Sequence, residues 1–173
     1  MTTALDTTAA LATGTWRLDP ARSSVEFQVR NLYGLTTVKG HFDSFEGTLR
    51  MSGRPAVALT IEADSLDTDN ERRDKHLLSD AFFDAAAHPR VRFEADAADL
   101  EGDKLKVRGV LYAAGKHVPL AVDATVAAAG EEFEIAATAL VDQRRLGMTW
   151  SPLGMIRSPS RLTVRGRLVR TGD

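Results

Sequence analysis

Strict alternation of apolar and polar side chains constrains this chain more than any other feature. Val25, Phe27 and Val29 fall on one face, with Glu26, Gln28 and Arg30 on the other. The pattern recurs at Val38-Gly40-Phe42, Phe45-Gly47-Leu49-Met51, Val57-Leu59-Ile61-Ala63 and Val91-Phe93-Ala95. It returns at Leu105-Val107-Gly109-Leu111, Val118-Leu120-Val122-Ala124, Phe133-Ile135-Ala137-Ala139 and Leu162-Val164-Leu168. Trp16-Leu18 offers a further, shorter segment. A period of two means a half-buried strand, dry on one face and wet on the other. Turn residues separate the segments at Asp43-Ser44, Ser52-Gly53-Arg54-Pro55, Glu101-Gly102-Asp103 and Gly130. Short connections between such strands give an antiparallel, mostly up-and-down order. The polar faces carry charge on nearly every strand, so no second sheet covers them. Closing one sheet on itself removes its edges. The expected fold is therefore all-β: a single antiparallel up-and-down β-barrel of about eight strands.

A barrel of that size is either filled by side chains or holds one small ligand. Many of the residues expected to face inward are small: Ala63, Ala95, Ala97, Gly109, Ala113, Ala124, Ala137 and Ala139. Packed interiors tolerate few voids, so twist closes the space or a ligand occupies it. The alternation alone leaves both open.

Two stretches do not alternate. Between Asp67 and Pro89, Asp69 or Asn70 can cap a helix and Glu71 suits its positive end. Leu77, Leu78, Phe82 and Phe83 form an apolar patch, interrupted by Ser79-Asp80 as a second cap. This predicts short helices over about 70–87, laid across one barrel opening and ended at His88-Pro89. The stretch from Gln143 to Ser160 is long for a connection and carries Leu146, Met148, Trp150, Leu153, Met155 and Ile156. So apolar a loop reads as a lid or rim, or as a plug in the barrel end. Within the first stretch, Arg72-Arg73-Asp74-Lys75-His76 is either a polar rim for a ligand headgroup or a solvated, self-neutralising helix face, with Arg73 and Asp69 spaced for an ion pair.

The residue patterns of other chemistries are absent from the sequence. There is no cysteine, which removes disulfides, thiolate metal sites and a catalytic thiol. His41, His76, His88 and His117 lack metal-ligand spacing, and no metal site is expected. The acidic run from Asp67 fails as a calcium loop, with Arg72 at its sixth position and Leu78 at its twelfth. Neither a phosphate-binding glycine loop nor a GxSxG elbow is present. The formal net charge of -2 argues against nucleic acid as partner. No apolar run approaches the roughly 18 residues of a membrane helix, so no stable membrane insertion is expected. No Lys or Arg precedes Arg17, and threonines interrupt the alanines before it. Residues 1–14 accordingly read as a flexible or weakly docked lead-in rather than a secretory signal. The expected location is cytoplasmic, with peripheral membrane contact allowed.

Longer motifs carry a resemblance. Trp16-Arg17-Leu18-Asp19-Pro20 is followed by Arg22-Ser23-Ser24-Val25-Glu26-Phe27, and Gly40-His41-Phe42 by Phe45-Glu46-Gly47. The run Ser65-Leu66-Asp67-Thr68-Asp69-Asn70-Glu71-Arg72-Arg73-Asp74-Lys75-His76-Leu77 continues into Asp80-Ala81-Phe82-Phe83-Asp84 and Pro89. With this order and spacing, residues 15–170 resemble the YceI family of bacterial lipid-binding proteins. The resemblance implies a lipocalin-like barrel around an elongated apolar pore, a polyisoprenoid or isoprenoid quinone as the bound molecule, and a homodimer. One departure lies at Gln143-Arg144-Arg145-Leu146-Gly147, where the family often has Arg–x–Asp–Phe–Gly.

The leading expectation is thus sequestration or transport of a long apolar molecule or lipid inside the barrel. No cofactor is required, and bound polyisoprenoid or quinone is the expected passenger. Inward candidates for ligand contact are Phe27, Val29, Phe42, Phe45, Leu49, Leu59, Ile61, Phe93, Leu111, Leu120 and Val122. Phe82, Phe83, Met148 and Trp150 are mouth or lid candidates. Arg73, Asp74 and His76 are candidates for a headgroup rim. The alternatives are an enzyme acting on a small hydrophobic substrate in the same pocket, and an interaction or stress-response module with a filled barrel. No catalytic motif supports the first.

Overall fold

The computed structural model describes residues 9–171. Its strands are β1 (Thr15–Leu18), β2 (Ser24–Asn31), β3 (Thr36–Phe42), β4 (Phe45–Arg50), β5 (Ala56–Glu62) and β6 (Leu66–Asp67). They continue with β7 (Arg90–Glu101), β8 (Lys104–Ala113), β9 (Lys116–Ala129), β10 (Glu132–Val141) and β11 (Ser160–Arg170). All described pairings are antiparallel, and the contact of β1 with β11 closes the sheet.

Eleven segments make eight staves. β11 pairs with β1 through Leu168–Arg170 and with β2 through Arg161–Arg165, so β1 and β2 are one stave broken at 19–23. β3 and β4 form a second, bent at Asp43-Ser44, because β2 pairs with β3 and β1 with β4. β5 and β6 form a third, paired to β4 and β3 in turn. The up-and-down order read from the alternation is the observed one. The two-residue β6 is not expected from the alternation, because it is too short to show a period.

One inward residue was misplaced. Ala95 pairs with Gly109 but Ala97 pairs with Arg108, so a β-bulge lies between them. A bulge adds one residue and flips every side chain beyond it. Ala97 is consequently exposed, and Ala98 and Leu100 pack against the core instead.

The break in the first stave is stapled. Asp19 caps a 3-10 turn at Pro20–Arg22 by accepting from the Ala21 N–H at 3.1 Å. Arg22 Nε donates to Asp19 Oδ2 at 2.7 Å, and its terminal nitrogens reach both oxygens of Glu132 at 2.9 and 2.7 Å. The Arg22 hydrogen bond is the chief reason that each carboxyl sits below its ordinary value. A depressed carboxylate contributes stability above its unfolded pKa and loses it as pH falls through the folded one. The melting temperature should therefore decline below the ordinary values of 3.8 and 4.5. Arg22→Gln should flatten that decline, as read by melting curves between about pH 5 and pH 3. An unchanged slope would show that the exposed staple contributes nothing.

The two barrel ends differ. One carries the tight turns at 51–55, 102–103 and 130–131, and the N-terminal segment closes it. Leu11 is wholly buried, and its carbonyl accepts from Trp16 Nε1 at 3.2 Å. Trp16 stands edge-on to Phe133, ring centroids 5.0 Å apart, and completes this floor. From residue 9 onward the expected lead-in is therefore part of the fold; residues 1–8 lie outside the described ones. The opposite end carries the connections 32–35, 68–89, 114–115 and 142–159.

Candidate functional site

The 68–89 connection lies over that second end. Asn70 accepts from the Arg73 N–H at 3.0 Å and caps α1 (Glu71–Leu78), the role expected of Asp69 or Asn70. Beyond Ser79 the chain runs in turns rather than a second helix, with Ser79 and Asp84 carbonyls accepting at 2.8–3.1 Å. Nearby, Thr68 is almost fully buried and anchors α1 to β6. Asp74 accepts from the Thr68 N–H at 3.0 Å and from its hydroxyl at 2.5 Å. Arg73 donates to the Thr68 hydroxyl at 2.8 Å and to its carbonyl at 2.5 Å. Arg73 is thus held by Thr68, not by the Asp69 that its spacing suggested.

Inside the barrel are two apolar chambers. The lower one, about 130 Å³, is lined from Leu18, Leu105 and Leu168 near the floor up to Leu59, Phe93 and Leu120; among the described residues, Thr48 and Thr138 alone bring hydroxyls to its wall. The upper one, about 180 Å³, lies beneath α1 and the 142–159 connection. Ile61, Leu111 and Leu162 line both and form the waist between them.

Most candidate ligand-contact residues lie on these walls. Leu49, Leu59, Phe93, Leu120 and Val122 line the lower chamber. Phe27, Val29, Phe42, Phe82, Phe83, Met148 and Trp150 line the upper one. Phe45, the first residue of β4 after the bend, is buried but lines neither. Alternation tells inside from outside, but it does not tell cavity wall from solid core. Of the rim candidates, Arg73 and His76 line the upper chamber, while Asp74 is spent on Thr68.

The 142–159 connection is both plug and rim. Leu146 and Met148 are buried, whereas Trp150 lines the chamber and is still 46% exposed. Buried Gln143 satisfies its amide at both ends: Nε2 donates to the Arg157 carbonyl at 3.0 Å, and Oε1 accepts from the Ser160 hydroxyl at 2.9 Å. Next to it, Arg144 pairs with Asp142 at 3.1 Å and holds that carboxyl below its ordinary value. At the step where the chain departs from the family pattern, a neutral amide and a local ion pair hold the loop.

His76 is different. Its ring packs edge-on against Trp150 at 4.4 Å and against Phe82 at 5.3 Å. Its Nε2 is the buried side-chain polar atom that lacks a hydrogen-bond partner among the described residues. Such an atom costs stability unless something pairs with it. Alternation cannot find it, because the helix places it over the mouth rather than on a strand.

Sequence spacing also missed a grouping on the outer wall. His41, Asp43 and Asp67 bring their ligand atoms within 4.8 Å of one another. The pairing of His41 with Asp67 across β3 and β6 creates this exposed cluster.

A closed eight-stranded antiparallel barrel with an apolar, two-chambered interior and a partly covered mouth defines a lipocalin-like protein. More narrowly, residues 16–168 match the model of the YceI-like domain, and the chain belongs to that family. A UPF0312 protein of Pectobacterium atrosepticum, ECA1782, is 30% identical over 112 residues, covering 62% of this chain and 58% of the relative. The YceI protein of Salmonella arizonae is 29% identical over 134 residues, covering 74% and 70%. Among solved structures, BcnA of Burkholderia cenocepacia superposes with a TM-score of 0.79 at 18% identity, over 88% of this chain and 99% of that one. A polyisoprenoid binding domain from Saccharophagus degradans, implicated in plant cell wall breakdown, gives 0.72 at 13% identity, over 92% and 99%. No helix among the described residues is long and apolar enough to cross a membrane.

Proposed function

We propose that this protein binds one linear polyisoprenoid chain, tail toward the floor and head at the mouth, and carries or stores it. The carrying observation is the pair of apolar chambers that meet at one waist, below a single irregular end. Burial of apolar area, worth roughly 25 cal/mol per Å², drives such binding. The similar domain from S. degradans is a polyisoprenoid binding domain, which supports the same ligand class here. A binding role fits better than catalysis, since among the described residues only Arg73 and His76 are ionisable on either wall. The test is mass spectrometry of an organic-solvent extract of the purified protein. A stoichiometric polyisoprenoid supports the reading. An extract still empty after incubation with cell lipids overturns it, in favour of a small-substrate enzyme or a filled barrel.

Turning the His76 ring at the chamber wall would bring Nε2, shielded and without a partner among the described residues, to a polar head. His76→Phe keeps an aromatic ring against Trp150 and removes the nitrogen. It should weaken binding of a prenyl alcohol or quinone by about tenfold, the worth of one hydrogen bond near 1.4 kcal/mol. Binding of a hydrocarbon of equal length should not change. Equal losses for both, in a fluorescence titration, would place the head elsewhere.

A further inference from the structure

Among the described residues, the exposed large hydrophobic ones are Leu32, Tyr33, Leu35, Leu140, Trp150 and Leu153. All lie in the mouth half of the barrel; the floor end has none among the described residues. Five sit in the 32–35 and 142–159 connections, which the closed sheet makes neighbours because β11 pairs with β2. The two loops are tied together. Tyr33 N–H donates to the Met155 carbonyl at 3.1 Å, and the Tyr33 hydroxyl donates to the Leu153 carbonyl at 2.6 Å. Leu35 and Leu153, at the two tips, are 85% and 86% exposed.

Backbone conformation adds a second observation. Leu32, Tyr33 and Leu153 have φ of 47°, 57° and 52°. Bulky residues seldom adopt this left-handed region, and such strain collects at functional sites. Here it turns apolar side chains toward solvent, opposite to what folding alone favours.

Charge supplies the third. The stretches 29–38 and 142–161 contain Arg30, Arg144, Arg145, Arg157 and Arg161 against the single acid Asp142, in a chain of formal net charge -2. The Arg157 guanidinium lies over the Tyr33 ring at 5.4 Å. The other acids of the mouth-end connections, Asp69, Glu71, Asp74, Asp80 and Asp84, belong to the 68–89 connection between the third and fourth staves. The basic, apolar patch is thus off-centre, around the junction of the last stave with the first. Exposed apolar tips ringed by arginine and an interfacial tyrosine are the signature of a surface that enters the headgroup layer of an anionic bilayer. Trp150 joins this patch to the chamber wall, so rim and cavity are continuous.

We propose that the mouth end docks on the surface of an anionic lipid bilayer, with Leu35 and Leu153 entering the headgroup layer. Docking there puts the cavity mouth against the membrane, and an apolar chain need not cross water to enter or leave.

The full-length protein is mixed with vesicles of phosphatidylcholine containing about one quarter phosphatidylglycerol. It should co-sediment with them, and Trp150 emission should shift to the blue while buried Trp16 stays constant. Leu35→Ser combined with Leu153→Ser should weaken vesicle binding at least about tenfold. Both positions are exposed, so circular dichroism and the melting temperature should not move. Arg145→Glu and added salt should each weaken binding as well. Absence of binding to anionic vesicles overturns the proposal, and so does binding that survives the double substitution. Equal binding to pure phosphatidylcholine overturns its anionic part. Self-association that requires Leu35 and Leu153, without vesicle binding, reassigns the patch to a second copy of the chain. None of these readouts requires a ligand in the barrel, so they stand or fall apart from the extraction experiment.

Discussion

Trp16→Ala is expected to destabilise the barrel by about 3–5 kcal/mol, the usual cost of truncating a large buried aromatic. Several losses coincide. Trp16 is 2% exposed, and its ring is the floor of the closed end. Removing it deletes the edge-on contact with Phe133 and leaves a cavity beneath the lower chamber. It also strips the Leu11 carbonyl of its indole donor, an unpaired buried acceptor that adds its own penalty. The Arg170 guanidinium, 5.5 Å from the ring, loses its aromatic partner. Trp16→Phe separates the parts: it keeps most of the packing and loses the hydrogen bond, for about 1–2 kcal/mol. Urea denaturation read by circular dichroism measures both. A loss under about 1 kcal/mol for the alanine variant would mean that Trp16 and the N-terminal segment do not close the barrel.

That floor shows how local signals divide. Trp16 and Leu18 were legible as a strand, because two inward residues around Arg17 already alternate. Leu11 was not. It lies among alanines and threonines with no period, and its burial depends on a barrel end that exists only after closure. The same division holds elsewhere. Staves with one dry face announced themselves, and so did the irregular segments that became the mouth. Ala97 was misassigned because a bulge shifts the phase by one residue without any mark in composition. Helix spacing pairs Arg73 with Asp69, but Thr68, just after β6, takes the guanidinium. His76 was visible only as one member of a charged run. Its unpaired nitrogen arises from packing against Trp150, more than seventy residues away in sequence. Periodicity reports which side of an element is dry. It does not report what two distant elements leave between them.

The second large effect concerns that space. Ala139 pairs with Leu162, one of the three waist residues, and lines the lower chamber. Ala139→Phe therefore projects a ring across the passage at the level where the chambers meet. The ring enters empty volume rather than packed core, so the cost in stability should be small compared with ordinary overpacking. Binding should change far more. A chain barred from the lower chamber loses the burial of its distal end, at about 0.8 kcal/mol per buried methylene. One excluded isoprene unit, with its five carbons, then amounts to roughly 3–4 kcal/mol, or more than a hundredfold in affinity. Ala124→Phe provides the graded comparison. Ala124 pairs with Leu105 and Ala137 in the lower chamber, below the waist. It should shorten the accommodated tail by less. A series of prenyl alcohols of increasing length, titrated against each variant, gives the readout. In the unsubstituted protein, affinity should rise with length until both chambers are full. In Ala124→Phe it should level off earlier, and in Ala139→Phe earlier still. If all three proteins level off at the same length, the tail does not pass the waist, and the lower chamber is a packing void rather than part of the site.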